Sequence, residues 1–464
     1  MLDQILAEIS NVLWGWPMII MLLGTHLFLT VRLRFPQRYI IRAIRLTVSS
    51  DKDAKGDVSQ FGALATALAA TIGTGNIIGV GTAIALGGPG AVFWCWMTGV
   101  LGMATKYGEG LLAIKYRQVS PKGRMQGGPM YALEYGLAAR YAGWKRWLFL
   151  ALAIFFALFT TIASLSIGSS VQSNAISTLT TENYGISPVV MGLVITLLVG
   201  LVIIGGVKSI SRVCSMLVPV MALVYVVGCI IILVLNADYI WPALKVIVCS
   251  AFSAKAMGGG FAGTAVLMAI RFGIARGLFS NESGLGSAPI VAAAAQTKNP
   301  VRQALVSSSG TFWDTVVICA MTGIVIVSCC IAHPEINVAD GGALTSKAFA
   351  NIPYIGTPLL SFGLLTFAFS TILGWSYYGE RATQYLGSKK VFRKVGLHTH
   401  VCIWIYRIIF LSTVFLGAVM PLQTVWNIAD ISNALMAFPN LISLLLLSGV
   451  MVEETRKHLW DKEK

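Results

Sequence analysis

The sequence predicts an all-α polytopic membrane protein with eleven transmembrane helices, and three observations carry that prediction. Of its 464 residues 56% are hydrophobic and only 11% charged, against about 25% charged in an ordinary soluble domain. Apolar stretches of about 20 residues, the length that crosses a bilayer, recur along the whole chain. Lys and Arg are concentrated in alternate connections between those stretches, as the positive-inside rule requires.

The stretches fall at 12–31, 61–87, 91–116, 147–173, 188–207, 213–235, 258–284, 302–331, 357–386, 401–421 and 427–451. The first lacks a basic leader and a small-residue cleavage site, so it reads as a retained span. The seventh is interrupted by Arg271 and Arg276. Trp241 to Ala256 is too short to cross and carries Lys245 and Lys255, which places it at the outer interface. Seven Lys and Arg lie in Arg32–Lys55, seven in Lys115–Arg146, five in Arg381–Lys394 and four in the tail from Arg456. Lys208 with Arg212 and Lys298 with Arg302 occupy the other two connections on that side, facing only Lys245, Lys255 and Lys347 across the membrane. An outside N-terminus, a cytoplasmic C-terminus and a cell-membrane location follow. The same arrangement accounts for the net charge of +15 without a nucleic-acid partner. The eight cysteines contain no C-x-x-C and lie in or beside apolar runs; they read as small buried hydrophobes rather than as disulfides or metal ligands.

The organisation is a single transport domain over 1–464. Behind the extra first span, 61–235 and 241–451 each hold five spans, and residues 452–464 form a tail. Five is odd, so the two sets enter the membrane in opposite senses, the inverted repeat of secondary transporters, whose site lies at the midplane. Each set opens on a Gly-interrupted span. The first interruption is Thr71-Ile72-Gly73-Thr74-Gly75-Asn76, halfway along an apolar run. Backbone broken at that depth is tolerated only against protein or a wet cavity. The second falls within Arg271–Ser287, where Gly277, Gly284 and Gly286 give backbone freedom and Ser280 and Asn281 are expected to cap the following half-helix.

The first half-helix should end near Ile72 and the second begin near Asn76. A helix N-terminus at the membrane centre suits a carboxylate. Thr74 adds a hydroxyl, Gly73 and Gly75 admit the substrate to the backbone, and the carbonyl end of the preceding half-helix is left for a cation. Gln172 is a neutral donor and acceptor at the end of the fourth span. Ser370 and Thr371 offer two oxygens to an alkali cation, and Trp375, one helical turn beyond Thr371, could wall a pocket. Lys106 and Glu109 are expected to neutralise each other, as are Glu380 and Arg381. Asp314 is more isolated and reads as a proton carrier, a gate or the partner of a nearby cation. The five histidines have no metal spacing, and the sequence contains no Walker loop, G-x-S-x-G or H-E-x-x-H. No enzymatic activity, no ATP coupling and no cofactor are expected.

Thr74-Gly75-Asn76, Gln126-Gly127-Gly128-Pro129-Met130-Tyr131 and Gly277-Leu278-Phe279-Ser280-Asn281-Glu282-Ser283-Gly284-Leu285-Gly286-Ser287-Ala288-Pro289 resemble the alanine-or-glycine:cation symporter family over nearly the whole chain. Ser283 stands where that family usually has Ala. The resemblance implies a leucine-transporter-type fold of five plus five inverted helices with one extra span. It implies sodium-coupled uptake of small neutral amino acids, alanine and glycine above all, with D-alanine or serine as further candidates. By the same resemblance Gly73, Thr74 and Gly75, with Asn76, hold the substrate carboxylate, Gln172 contacts its polar head, Trp375 closes over its side chain and Phe272 is a further contact. The sodium ligands are Ser370 and Thr371 with carbonyls of Ala70 and Gly73. A monomer in a lipid bilayer, with sodium and an amino acid as its only partners, is the expected working unit. Proton coupling through Asp314 or Glu109, and a channel, are the alternatives.

Overall fold

The computed structural model describes the chain apart from residues 1, 50, 52–53, 122, 254–261, 390–397, 421–422 and 463–464. The start of the seventh stretch lies outside the described residues, as do Lys255 and several other counted basic residues, among them Lys52, Lys390 and Arg393. The described part of each of the eleven predicted stretches is mainly helical. Among the described residues seven helices are long and apolar enough to cross a membrane, and an eighth if the bent pair Gln60–Thr71 with Gly75–Gly87 is one span. Pro188–Ile204 is apolar but has only 17 residues.

Burial sorts the helices into a centre and a rim. The most apolar window of Gly356–Gly387 is 72% buried, whereas that of Thr399–Val419 is 28% buried. On Pro188–Ile204 the outward side chains Leu193, Leu197 and Leu201 recur every fourth residue and are about 60% exposed. Such a continuous apolar face is stable only in lipid. Trp16–Arg32, at the N-terminus, packs against Gly90–Lys115, and Leu2–Leu13 against Gln423–Leu446. The predicted interfacial stretch is the helix Ala237–Phe252, fastened where the Trp94 indole N–H donates to the Ala251 carbonyl at 3.2 Å.

The first interruption has a local cause. Ser59 Oγ caps the helix by accepting the Gly62 N–H at 3.0 Å, and the last regular bond runs from the Ile72 N–H to the Leu68 carbonyl at 2.7 Å. The next N–H, of Gly73, turns instead to Asn76 Oδ1 at 2.9 Å. The Asn76 N–H goes to the Gly73 carbonyl at 3.2 Å. The helix resumes through a wide π-helical turn, Gly75–Gly79, and the two parts meet at 52°.

The second interruption is Glu282–Ser287, between the helices Ala262–Asn281 and Ala288–Ala292. Glu282, Gly284 and Gly286 have φ of 53°, 91° and 85°. That left-handed region is nearly free of strain for glycine and costly for other residues. Ser280 and Asn281 were expected to cap the later half-helix, but they close the earlier one: Asn281 Oδ1 accepts the Ser283 N–H at 2.9 Å. On the side of the basic connections the broken spans are tied together. Val58 pairs with Ala295 in a parallel bridge, and the Arg117 guanidinium donates to the carbonyls of Ala293, Ala295 and Thr297.

Candidate functional site

In a continuous helix the Ala69 carbonyl would accept from the Gly73 N–H, and the Ile72 carbonyl from the Asn76 N–H. Asn76 takes both away, one with its side chain and one by turning its own N–H to Gly73. The carbonyls released are the ones that face Gly356–Gly387. Thr371 Oγ1 lies 3.1 Å from the Ala69 carbonyl oxygen and 3.5 Å from that of Ile72, and Ser370 Oγ lies 3.2 Å from Ala69. Thus the carbonyls meeting the two hydroxyls are Ala69 and Ile72, one residue before the expected Ala70 and Gly73. The Gly73 carbonyl is taken by Asn76, and Ala70 faces Gly374, whose Cβ position would lie 2.7 Å from the Ala70 Cβ.

The chemistry of this donor set fits an alkali cation. Both hydroxyls also lie 2.9 Å from the Phe367 carbonyl of their own helix. If each donates its single hydrogen there, its lone pairs remain directed at the released carbonyls. Four neutral oxygens then converge without a hydrogen between them, and hard cations take such oxygen ligands.

The substrate-side residues adjoin this cluster. A Cβ on Gly73 would sit 2.7 Å from Thr371 Oγ1 and 3.7 Å from Gln172 Oε1. Gln172 follows a second π-helical turn, Ser166–Ser170, and its Nε2 donates to the Ile167 carbonyl at 3.2 Å. Its Oε1 is buried without a partner among the described residues. An acceptor in that condition is costly unless a ligand supplies a donor. Trp375 is buried and packs on Gly168, where an added Cβ would collide with the Trp375 Cβ. Thr74 is buried at the start of the resumed helix, and Gly75 is in contact with Phe279.

Two predicted substrate contacts are placed differently. Phe272 lines a cavity of about 110 Å³ with Trp14, Arg276, Asp430 and Phe279. Phe279, two turns further along the same helix, is the aromatic against Gly75. Asn76 is buried and its amide is engaged at both ends: Oδ1 accepts the Gly73 N–H, and Nδ2 donates to Asp314 Oδ1 at 2.7 Å and to the Asp314 carbonyl at 3.2 Å.

The buried charges also find other partners than expected. Lys106 and Glu109 approach only to 3.9 Å. Lys106 donates to the Glu282 carbonyl at 3.2 Å, while Glu109 Oε1 accepts from the Gly284 N–H at 3.0 Å and from Asn440 Nδ2 at 2.8 Å. Asn440 Nδ2 also lies 2.9 Å from the Gly284 carbonyl, and the Ser287 hydroxyl donates to Glu282. Glu380 pairs with Arg407 at 2.8 Å rather than with Arg381, whose guanidinium donates to Gln384 Oε1 at 2.7 Å. Sequence neighbours on a helix were the obvious pairs, but Lys106, Glu109 and Glu380 bond to other segments, and Arg381 to Gln384 of its own helix. A cavity of about 20 Å³, room for one water, lies between the two interruptions beside Thr71, Lys106 and Asn281.

An interrupted span whose released carbonyls meet hydroxyls of a facing helix beside an unsatisfied amide has the features of a secondary-transporter binding site. The solved structure of MhsT in complex with L-phenylalanine is similar in fold, with a TM-score of 0.54 over 85% of this chain and 89% of that one, at 15% identity; the structural neighbours have the leucine-transporter-type fold. Residues 1–464 match the Sodium:alanine symporter family, and the chain belongs to it. The sodium/alanine symporter AgcS of Methanococcus maripaludis is 47% identical over 98% of this chain and 96% of its own. A transporter of Haemophilus influenzae is 49% identical over 98% and 96%. The family is one of multi-span membrane transporters performing sodium-coupled, alanine-type symport.

Proposed function

We propose that this chain imports alanine, glycine and serine with sodium, by alternating access around the first interruption. Eleven spans in two inverted sets of five plus one, with the N-terminus outside, frame the site. Sodium sits between the carbonyls of Ala69 and Ile72 and the hydroxyls of Ser370 and Thr371. The substrate carboxylate lies at the N-terminus of the resumed helix, against the backbone of Gly73, Thr74 and Gly75, where the helix dipole favours an anion. The substrate ammonium donates to Gln172 Oε1, and Trp375 and Phe279 bound its side chain. The observation that carries this reading is the pairing of two released carbonyls with two hydroxyls, of which Thr371 Oγ1 lies 2.7 Å from the position a Gly73 Cβ would take. Sodium there orders the segment on which the substrate rests, so each ligand raises the affinity of the other.

A pocket bounded by rigid rings discriminates a methylene by only about 1–3 kcal/mol, hence the short neutral range. Uptake of labelled amino acids by reconstituted protein tests the proposal. Accumulation of alanine, glycine and serine under a sodium gradient, lost with choline, is expected. Equal uptake in choline under a proton gradient, or uptake that never exceeds equilibration, overturns it.

A further inference from the structure

Asp314 is a buried carboxylate on a third π-helical turn, Phe312–Cys319, in the helix facing both interruptions. Its oxygens accept from three neutral donors. Asn76 Nδ2 reaches Oδ1 at 2.7 Å; Ser280 Oγ and Thr315 Oγ1 reach Oδ2 at 3.0 and 2.6 Å. Asn76 belongs to the first interrupted span, and Ser280 to the last turn before the second. An unbroken relay therefore runs from the Gly73 N–H through Asn76 and Asp314 to Ser280.

We infer that Asp314 is the positioning residue that holds the Asn76 side chain in the orientation freeing the Ala69 carbonyl, and so ties the first interruption to the turn that precedes the second. Asn76 keeps the Ala69 carbonyl free only while its Oδ1 points at Gly73. The other end of the amide is anchored by Asp314, through side chain and backbone together; Cys319 Sγ, at 3.3 Å, is a weak acceptor. Without the carboxylate the amide can rotate, the Gly73 N–H can return to Ala69, and the cation loses a ligand. This inference rests on the sodium site proposed above.

The role is one of shape rather than charge, and that makes it testable. In D314A the sodium affinity of purified, reconstituted protein should fall by at least about tenfold. In D314N the new amide oxygen still accepts from Asn76, so the fall should be well under that of D314A. The exchange N76D/D314N restores the contact, because the carboxylate now at position 76 accepts from the Gly73 N–H and from the new amide at position 314. It should recover affinity lost in N76D. Thermal unfolding of each variant in detergent is read in parallel, since a merely structural loss would lower stability without rescue by the exchange. Wild-type affinity in D314A overturns the inference. So does D314N as impaired as D314A with no rescue by the exchange, which would make the charge itself the requirement. If the unaltered protein binds alanine equally with and without sodium, the sodium site itself fails, a result distinct from either.

Discussion

The two interrupted spans break in opposite ways. The first, at Ile72–Thr74, presents neutral groups, namely glycine backbone, hydroxyls and an amide oxygen left without a partner among the described residues, with the Asp314 carboxylate reached only through Asn76. The second, at Glu282–Ser287, is held by charged and amide groups that reach its backbone, Lys106 on the Glu282 carbonyl and Glu109 with Asn440 on Gly284. A buried neutral site with spare acceptors can take and release a cation and a zwitterion. A buried ionic site resists opening, because removing one partner strands the other. On the proposed function, the first break is the exchangeable site and the second the hinge against which it works.

Breaking the hinge gives the largest effect. E109A leaves the Gly284 N–H without its acceptor and the buried Lys106 without its counter-charge, and a loss of about 3–5 kcal/mol is expected, read as a marked fall in unfolding temperature in detergent. An unchanged melting curve together with lost sodium dependence would invert the comparison. T371A strikes the exchangeable site instead. A hydrogen bond to a charged group contributes about 1.5–3 kcal/mol; a hydroxyl on a cation should contribute similarly, so sodium affinity should weaken roughly 10- to 100-fold with little change in melting. Q172L removes the acceptor set for the ammonium, and alanine affinity should fall about tenfold while sodium binding measured without alanine stays put. Equal loss of both affinities would show that Gln172 is not specific to the substrate. The smallest effect belongs to the half-exposed surface pair Lys347–Asp340: D340A should change stability by under about 1 kcal/mol and leave uptake unaltered.

The helical membrane fold was legible because lipid imposes length and apolarity on spans, and seven helices among the described residues meet that test, eight with the bent pair. The first break was legible from glycines at membrane depth. Ala69 and Ile72 were not, since a carbonyl's freedom depends on where the N–H four residues later goes, and Asn76 diverts two of them. That signal was present in the Gly73-to-Asn76 spacing, which suits an asparagine capping back onto the backbone. Glu109 and Lys106 were paired wrongly because spacing on one helix says nothing of Asn440, which lies 331 residues from Glu109. Phe279 was missed for a related reason: only the position of Glu282–Ser287 shows which turn of its helix reaches Gly75. The role of Gly168 against Trp375 had no sequence signal at all.

The central claim is that sodium at the released carbonyls and an amino acid beside Gly73 stabilise the same state. Alanine affinity of the purified protein, titrated across sodium concentrations and matched by sodium affinity across alanine concentrations, tests it most directly. The account predicts that each ligand tightens the other by one common factor, and that T371A brings that factor close to one. Alanine binding that is indifferent to sodium would contradict it.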